Sequence, residues 1–415
     1  MYRYTWFIRW RWIHTCNERE KGIVMMTFPK NPIEAVTHPD PYPYYADLVA
    51  HKPIYYDEAL GLWVAASAAA VSEVLQSELC RVRPLTEPVP RALFGSWAAT
   101  IFQQLARMND GERHSTRKQA VVATLQPLNT LSISEESHKW ASFLAAELSL
   151  KVSSLHLMDF AYRLSVYVVA SLLGVPQNKL PETAEWVGDF IYCIAPSSSH
   201  EQLARGKAAA DKLWDLFDTI LSTQQSTKDC NLLATLAQKL KRSGNHGGDA
   251  AIANSIGFFF QAYEATAGLI TNTLVTLSTQ QDVWEQVRNE PGLLPLVLEE
   301  VLRYDPSIQN TRRFLADDSF VAGQQMKAGQ SVLVLLAAAN RDPKANAQPD
   351  LFDIQRKDRR IFTFGAAAHA CAGELLAKSI ALAGVEQLIA SGIDPKNFSG
   401  PFSYRPANIR VALLG

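Results

Sequence analysis

The stretch Ile361-Phe362-Thr363-Phe364-Gly365-Ala366-Ala367-Ala368-His369-Ala370-Cys371-Ala372-Gly373-Glu374 decides the fold. A run of small residues leads into a single cysteine. From Glu374 to Leu388 the spacing of apolar residues predicts a helix. Cys371 is therefore expected in a tight loop just ahead of a helix N-terminus. Unpaired backbone N–H groups there favour an anion, so they favour thiolate over thiol. Small neighbours on both sides suit a flat group lying close to the backbone. Phe364 could pack under it, and His369 could reach a carboxylate on its rim.

Taken alone, a free cysteine is a small, often buried hydrophobe. The spacing says more. Phe364, Gly365, His369, Cys371 and Gly373 fit the pattern Phe-x-x-Gly-x-His/Arg-x-Cys-x-Gly, with Ala367 where the pattern has its internal glycine. This resembles the haem-binding loop of the cytochrome P450 family. The resemblance implies Cys371 as axial ligand of haem iron, with Phe364, Gly365, His369 and Gly373 as cofactor-binding residues.

Six further stretches resemble the same family in the same order. His114 and Lys118, at the head of a helix starting near Met108, stand where the family holds a haem propionate with histidine and arginine; Arg117 is the neighbouring cation. The long apolar run from Ala251 to Leu277 resembles the central helix that crosses the haem face. Glu264 aligns with the family's acid there. The catalytic threonine that follows it is Ala265 here. Thr266 falls one residue later, about 100° further round the helix. Gln261 stands four residues before Ala265, on the same face, so its amide, a water or a substrate hydroxyl is expected to take the missing role. Glu300 and Arg303 resemble the Glu-x-x-Arg pair, with Arg356 as third member of a structural triad. Thr311 to Asp318 resembles the strand that gives an arginine to the other propionate, and the spacing picks Arg313 over Arg312. Ala338-Ala339-Asn340-Arg341-Asp342-Pro343 matches a further family stretch, and Phe402 to Val411 resembles its C-terminal hairpin.

Composition agrees. The chain has 415 residues, 47% hydrophobic and 20% charged, with net charge −1, which gives enough apolar surface for a large core. The balanced charge argues against a nucleic-acid protein. Cys16, Cys80, Cys193, Cys230 and Cys371 are scattered and odd in number, which points to a reducing compartment, taken as cytoplasmic, and to no structural zinc. No run approaches the roughly 20 apolar residues of a membrane span. Residues 1–26 are expected to be an extension, and 27–415 one domain.

The expected fold is mainly α with a small β region, with haem b between the cysteine loop and the central helix. Residues 81–105, rich in proline, read as an irregular loop over the substrate. Trp186, Phe190 and Tyr192 read as core or as ligand-facing. Phe94, Trp97, Phe260 and Leu269 are candidate pocket residues. The implied function is a monooxygenase acting on a small apolar substrate, fed by a ferredoxin or similar donor that docks on Arg359, Arg360 and Lys378. Two alternatives stay open: a haem-thiolate enzyme that uses peroxide or rearranges its substrate, prompted by Ala265, and a haem sensor without turnover.

Overall fold

The structure, a computed structural model, describes residues 28–414 apart from 129, 149–153, 194–197, 225–230, 245–246, 399 and 406–408. The expected extension 1–26, Cys16 and Cys230 lie outside the described residues. Proline and glycine punctuate the opening: α1 (Tyr42–His51) follows Pro41, β1 (Ile54–Asp57) and β2 (Leu62–Ala65) form a hairpin around Gly61, and α2 (Ala68–Gln76) starts on the Ser67 hydroxyl, which accepts from Ala70 N–H.

A short β3 (Cys80–Arg81) is followed by α3 (Trp97–Gln104), which corrects the reading of 81–105 as wholly irregular. Prolines at 84, 88 and 90 hide a helix whose apolar Ala98 and Ile101 are buried. Next come α4 (Gly111–Leu125), α5 (Thr130–Leu148), α6 (Ser154–Leu172), α7 (Leu180–Phe190), α8 (His200–Gln224) and α9 (Leu232–Arg242). The axis of the molecule is α10 (Gly247–Thr279), about 50 Å long at 1.5 Å per residue. It is packed by α3, α6, α8, α9, α14 (Glu374–Ala390) and α12 (Leu294–Tyr304), which follows α11 (Gln281–Asn289). Its near-continuous apolar sequence is what such all-round burial requires. Gly268 lets the chain behind it approach: a Cβ there would stand 2.7 Å from Ser307 Cβ and 2.8 Å from the Arg410 carbonyl oxygen.

The remaining strands are β4 (Thr311–Leu315), β5 (Ser319–Val321), β6 (Gln324–Met326) and β7 (Ser331–Val334), with α13 (Leu336–Asn340) after them. One sheet runs β1-β2-β7-β4-β3, parallel only between β2 and β7. Residues of β4 face those of β7 in register Arg313↔Val332. The β5–β6 hairpin turns on Ala322 and Gly323, and β8 (Ser403–Tyr404) pairs with β9 (Ala412–Leu413) near the C-terminus.

Candidate cofactor and substrate site

Cys371 lies two residues before Gly373, the residue that caps α14. Its N–H donates to the Phe364 carbonyl at 2.8 Å, and Ala370 N–H donates to Ala367 at 3.1 Å. Gly365 (φ +70°) and Ala367 (φ +54°) both take the left-handed conformation. The position where the family pattern has glycine thus needs a glycine-like backbone, and alanine adopts it with strain. The thiol keeps accessible surface. Burial by the surrounding protein prevails and raises its pKa, against the expected preference for thiolate, although the Gly373 N–H, Lys118 and Arg107 pull it down.

The loop is bolted from behind. Asn340 of α13 accepts from Phe362 N–H at 2.7 Å and donates to Thr363 at 3.0 Å, and the Thr363 hydroxyl donates to the Leu302 carbonyl at 2.6 Å. Asn340 was legible only as part of a family stretch; its work is to tie the loop to α12. On α12, Glu300 is fully buried and meets Arg303 at 2.6 Å and Arg356 at 3.4 Å, as the triad implied. A third guanidinium, Arg359, reaches its other oxygen at 2.8 Å. Burial alone would raise the Glu300 carboxyl, but Arg303, Arg359 and the Asp353 N–H hold it below the usual range.

This overturns the proposed docking face. Arg359 points inward. Lys378 is paired to Glu299 at 2.7 Å and Glu374 at 2.8 Å. Arg360 remains exposed, donating to the Ser72 hydroxyl at 2.9 Å.

One face of α10 is left uncovered by the neighbouring elements. Between residues 250 and 278 the helix is buried except at Phe258, Gln261, Ala262, Tyr263 and Ala265. Four of these stand at i, i+3, i+4 and i+7, a single stripe. Gln261 turns its amide back on its own helix, donating to the Gly257 carbonyl at 2.7 Å. Thr266 is buried off this stripe, and its hydroxyl has no hydrogen-bond partner in the structure. Glu264 is also off the stripe, 8% exposed, and bridges to Arg405 at 2.7 Å. Of the other pocket candidates, Leu269 is sealed in the core, and Phe260 is buried against Phe190 at 5.7 Å. Phe94 is 62% exposed. Trp97 stacks on Trp214 of α8 at 4.1 Å, joining α3 to the helices opposite. Phe190 is core, while the half-buried rings of Trp186 and Tyr192 lie under Lys212 and Arg205.

Cations converge near the cysteine loop. Lys118 donates to the Ala370 carbonyl. Arg313, 6% exposed, donates to Thr311 Oγ1 at 3.2 Å and to the Arg312 carbonyl. Arg107, on the turn Ala106–Met108 before α4, has no hydrogen bond or ion pair among the described residues and feels the charge of Cys371. Burial lowers the proton affinity of Lys118 and Arg313, whereas Arg107 keeps exposed surface. The nearby carboxylate, Asp110, is taken up by His369 Nε2 at 3.1 Å, and His369 stacks on His114 at 4.0 Å. Desolvation and the neighbouring cations depress the His114 pKa to about 4.

The fold and this site define a mainly helical protein in which one accessible cysteine lies among cations able to hold an anionic group. The family model for cytochrome P450 matches residues 192–390. The chain is 26% identical over 363 residues to the biotin biosynthesis cytochrome P450 of Bacillus subtilis, covering 84% of this chain and 88% of that one. It is 30% identical over 239 residues to the 6-deoxyerythronolide B hydroxylase of Saccharopolyspora erythraea, covering 57% and 58%. Several further curated P450 relatives align over 55–60% of their own length. The crystal structure of CalO2 superposes with a TM-score of 0.79 at 26% identity, over 90% of this chain and 94% of that one. The chain belongs to the cytochrome P450 family. It is a P450 monooxygenase, an oxidoreductase whose cofactor is haem.

The residues present fit that cofactor. Among the described residues no group of three or more His, Cys, Asp or Glu side chains could hold a bare metal ion. Desolvated cations without a paired carboxylate are costly, and a cofactor with two carboxylates removes that cost.

Proposed function

We propose that this chain inserts one oxygen atom from O2 into a small apolar substrate, with electrons from a separate donor of the ferredoxin kind. The observation that carries this reading is the pairing of an accessible, backbone-held thiol with desolvated cations that lack a carboxylate. When bound, haem held by a thiolate supplies the oxygen chemistry, because the thiolate's electron density favours O–O cleavage. In this reading Cys371 would hold the haem iron. Phe364, Gly365 and Gly373 leave room for the ring, and Lys118, Arg313, His114 and His369 hold its carboxylates, with Arg107 added to the set. The stripe Phe258, Gln261, Ala262 and Ala265 faces the substrate and fixes how closely it approaches. Gln261 orders water with the amide oxygen left free by its bond to Gly257, and Glu264 supplies protons. The buried free thiols of Cys80 and Cys193 fit a reducing compartment, and we place the protein in the cytoplasm, its domain beginning near residue 27. Among the described residues no helix is long and apolar enough to cross a membrane.

A second reading is favoured by Ala265, which offers no hydroxyl on the pocket stripe: oxidation by peroxide, or substrate rearrangement. One experiment separates the readings. The reduced protein with carbon monoxide should show the thiolate absorption signature, and Cys371→Ser should lose it. Product yield should then be higher with a ferredoxin system than with peroxide alone. Higher yield with peroxide would select the second reading, and a thiolate signature in Cys371→Ser would refute the ligand assignment.

A further inference from the structure

Most buried arginines of this fold meet a carboxylate. Arg303 rests on Glu300, Arg341 on Asp350 and Arg410 on Asp305, and Arg313 stands among the cations beside the cysteine loop. Arg117 of α4 does neither. It is 4% exposed, and its acceptors are neutral: the Gln103 carbonyl at 3.4 Å and the side-chain oxygen of Gln104. Its Nε has no hydrogen-bond partner. Two more guanidiniums crowd it. Arg113 lies one turn earlier on the same face of α4, exposed and without a hydrogen bond or ion pair among the described residues. Arg83, half-buried, lies against the Phe102 ring at 5.9 Å and donates to the Pro88 carbonyl and to Asn109 Oδ1 at 3.0 Å. Asn109 in turn donates to the Gln103 carbonyl, at 3.1 Å, which Arg117 also uses. Arg83 and Arg117 thus share one hydrogen-bonded corner, with Arg113 beside it. Burial, then Arg113 and Arg83, bring the Arg117 pKa down to about 10. Asp110, the carboxylate that acts on Arg83, is already engaged by His369 Nε2 and by Val82 N–H, each at 3.1 Å.

We propose that Arg83, Arg113 and Arg117 form a binding site for a compact dianion of the phosphate class, either the free ion or a phosphate monoester. Three like charges without an anion oppose folding, and the buried one most. A dianion turns the same charges into affinity. Arg113 and Arg83 meet it from the surface, where the planar fork of a guanidinium matches two phosphate oxygens. Arg117 keeps its hydrogen bonds to the end of α3 and acts from behind as a fixed charge, so the site needs no opening of the core. The site is separate from that of the cofactor. His114 and Lys118 follow Arg113 and Arg117 by one position each, about 100° round α4, and it is they that stand at the cysteine loop. Binding here needs neither O2 nor an electron donor, so it stands apart from the monooxygenase reading.

The test uses haem-loaded protein, so that the cofactor's carboxylates occupy Lys118 and Arg313. Inorganic phosphate and, separately, glycerol phosphate are titrated by calorimetry, with ionic strength held constant by sodium chloride. Saturable binding to a single site is expected, with a rise in melting temperature. Arg113→Ala should weaken binding by about tenfold or more, the loss of a charged hydrogen-bond donor. Without anion the same variant should melt no lower than the parent, because a repelling charge has gone. Arg113→Lys, which keeps the charge and loses the fork, should bind with intermediate strength. Binding of only one of the two probes still supports the site and tells the free ion from the ester. Phosphate also stabilises proteins by exclusion from their surface, so a melting gain equal in parent and Arg113→Ala, with no heat of binding, overturns the site. If neither probe binds while Arg113→Ala weakens the hold on a ferredoxin, the corner belongs to the electron donor and the small-anion site is refuted.

Discussion

Ala367 stands at φ +54° in the cysteine loop. A left-handed alanine costs about 1–2 kcal/mol through contact of its Cβ with the backbone. Glycine there removes that contact but loses more chain entropy on folding, about 0.5–1 kcal/mol. Ala367→Gly should therefore stabilise the protein by about 0.5–1 kcal/mol, read as a higher urea midpoint at unchanged slope. A lower midpoint would mean that the methyl does packing work in the loop. At this scale the sequence was informative where chemistry follows from spacing. Cys371, Gly365 and the deviant Ala367 could all be picked from a 14-residue window. Arg107 and Arg405 could not, because nothing local marks an arginine whose importance is that folding places it beside a distant group.

The loop depends on the elements behind it. Glu300 is buried under three guanidiniums, from α12 and from the segment before the cysteine. Replacing it by glutamine leaves those cations with a weak neutral acceptor. Breaking a buried pair by removing one partner costs about 3–5 kcal/mol, so Glu300→Gln should lower the urea midpoint accordingly. The sign with pH follows from the depressed carboxyl. Its usual value is 4.5 and its folded value lies lower, so the stabilisation is complete above 4.5 and is lost as pH falls through the folded value. The gap between parent and variant should therefore narrow in acid; a gap that is constant with pH would mean that shape, not charge, is lost. The Glu300–Arg303 pair was readable because i and i+3 share a helix face. The inward turn of Arg359 and the pairing of Lys378 were not, because charge in a sequence does not say which side of a loop faces water or which acid lies across from it. Helix α3 was hidden for a related reason: prolines mark the loop before it, while its burial is decided by α10 and α8.

Over the whole molecule, the cations near the cysteine couple cofactor to fold. Arg107 and Arg313 repel one another; Arg313 is buried, while Arg107 keeps exposed surface. Without haem they oppose folding; with haem its carboxylates turn the same charges into a source of affinity. The two states should thus respond to one substitution with opposite signs. Arg107→Gln removes no hydrogen bond or ion pair seen among the described residues, so in haem-free protein it should raise stability, by on the order of 1 kcal/mol, since water reaching the guanidinium screens the effect. In the loaded protein it should speed haem transfer to an acceptor such as apomyoglobin, because a charged hydrogen-bond donor to a carboxylate contributes about 1.5–3 kcal/mol. Stability by urea midpoint and transfer by absorption change would be measured on the same preparations. A variant that is less stable without haem would show that Arg107 packs rather than repels. One that keeps its haem as long as the parent would remove Arg107 from the set that holds the cofactor, leaving Lys118 and Arg313 to do it.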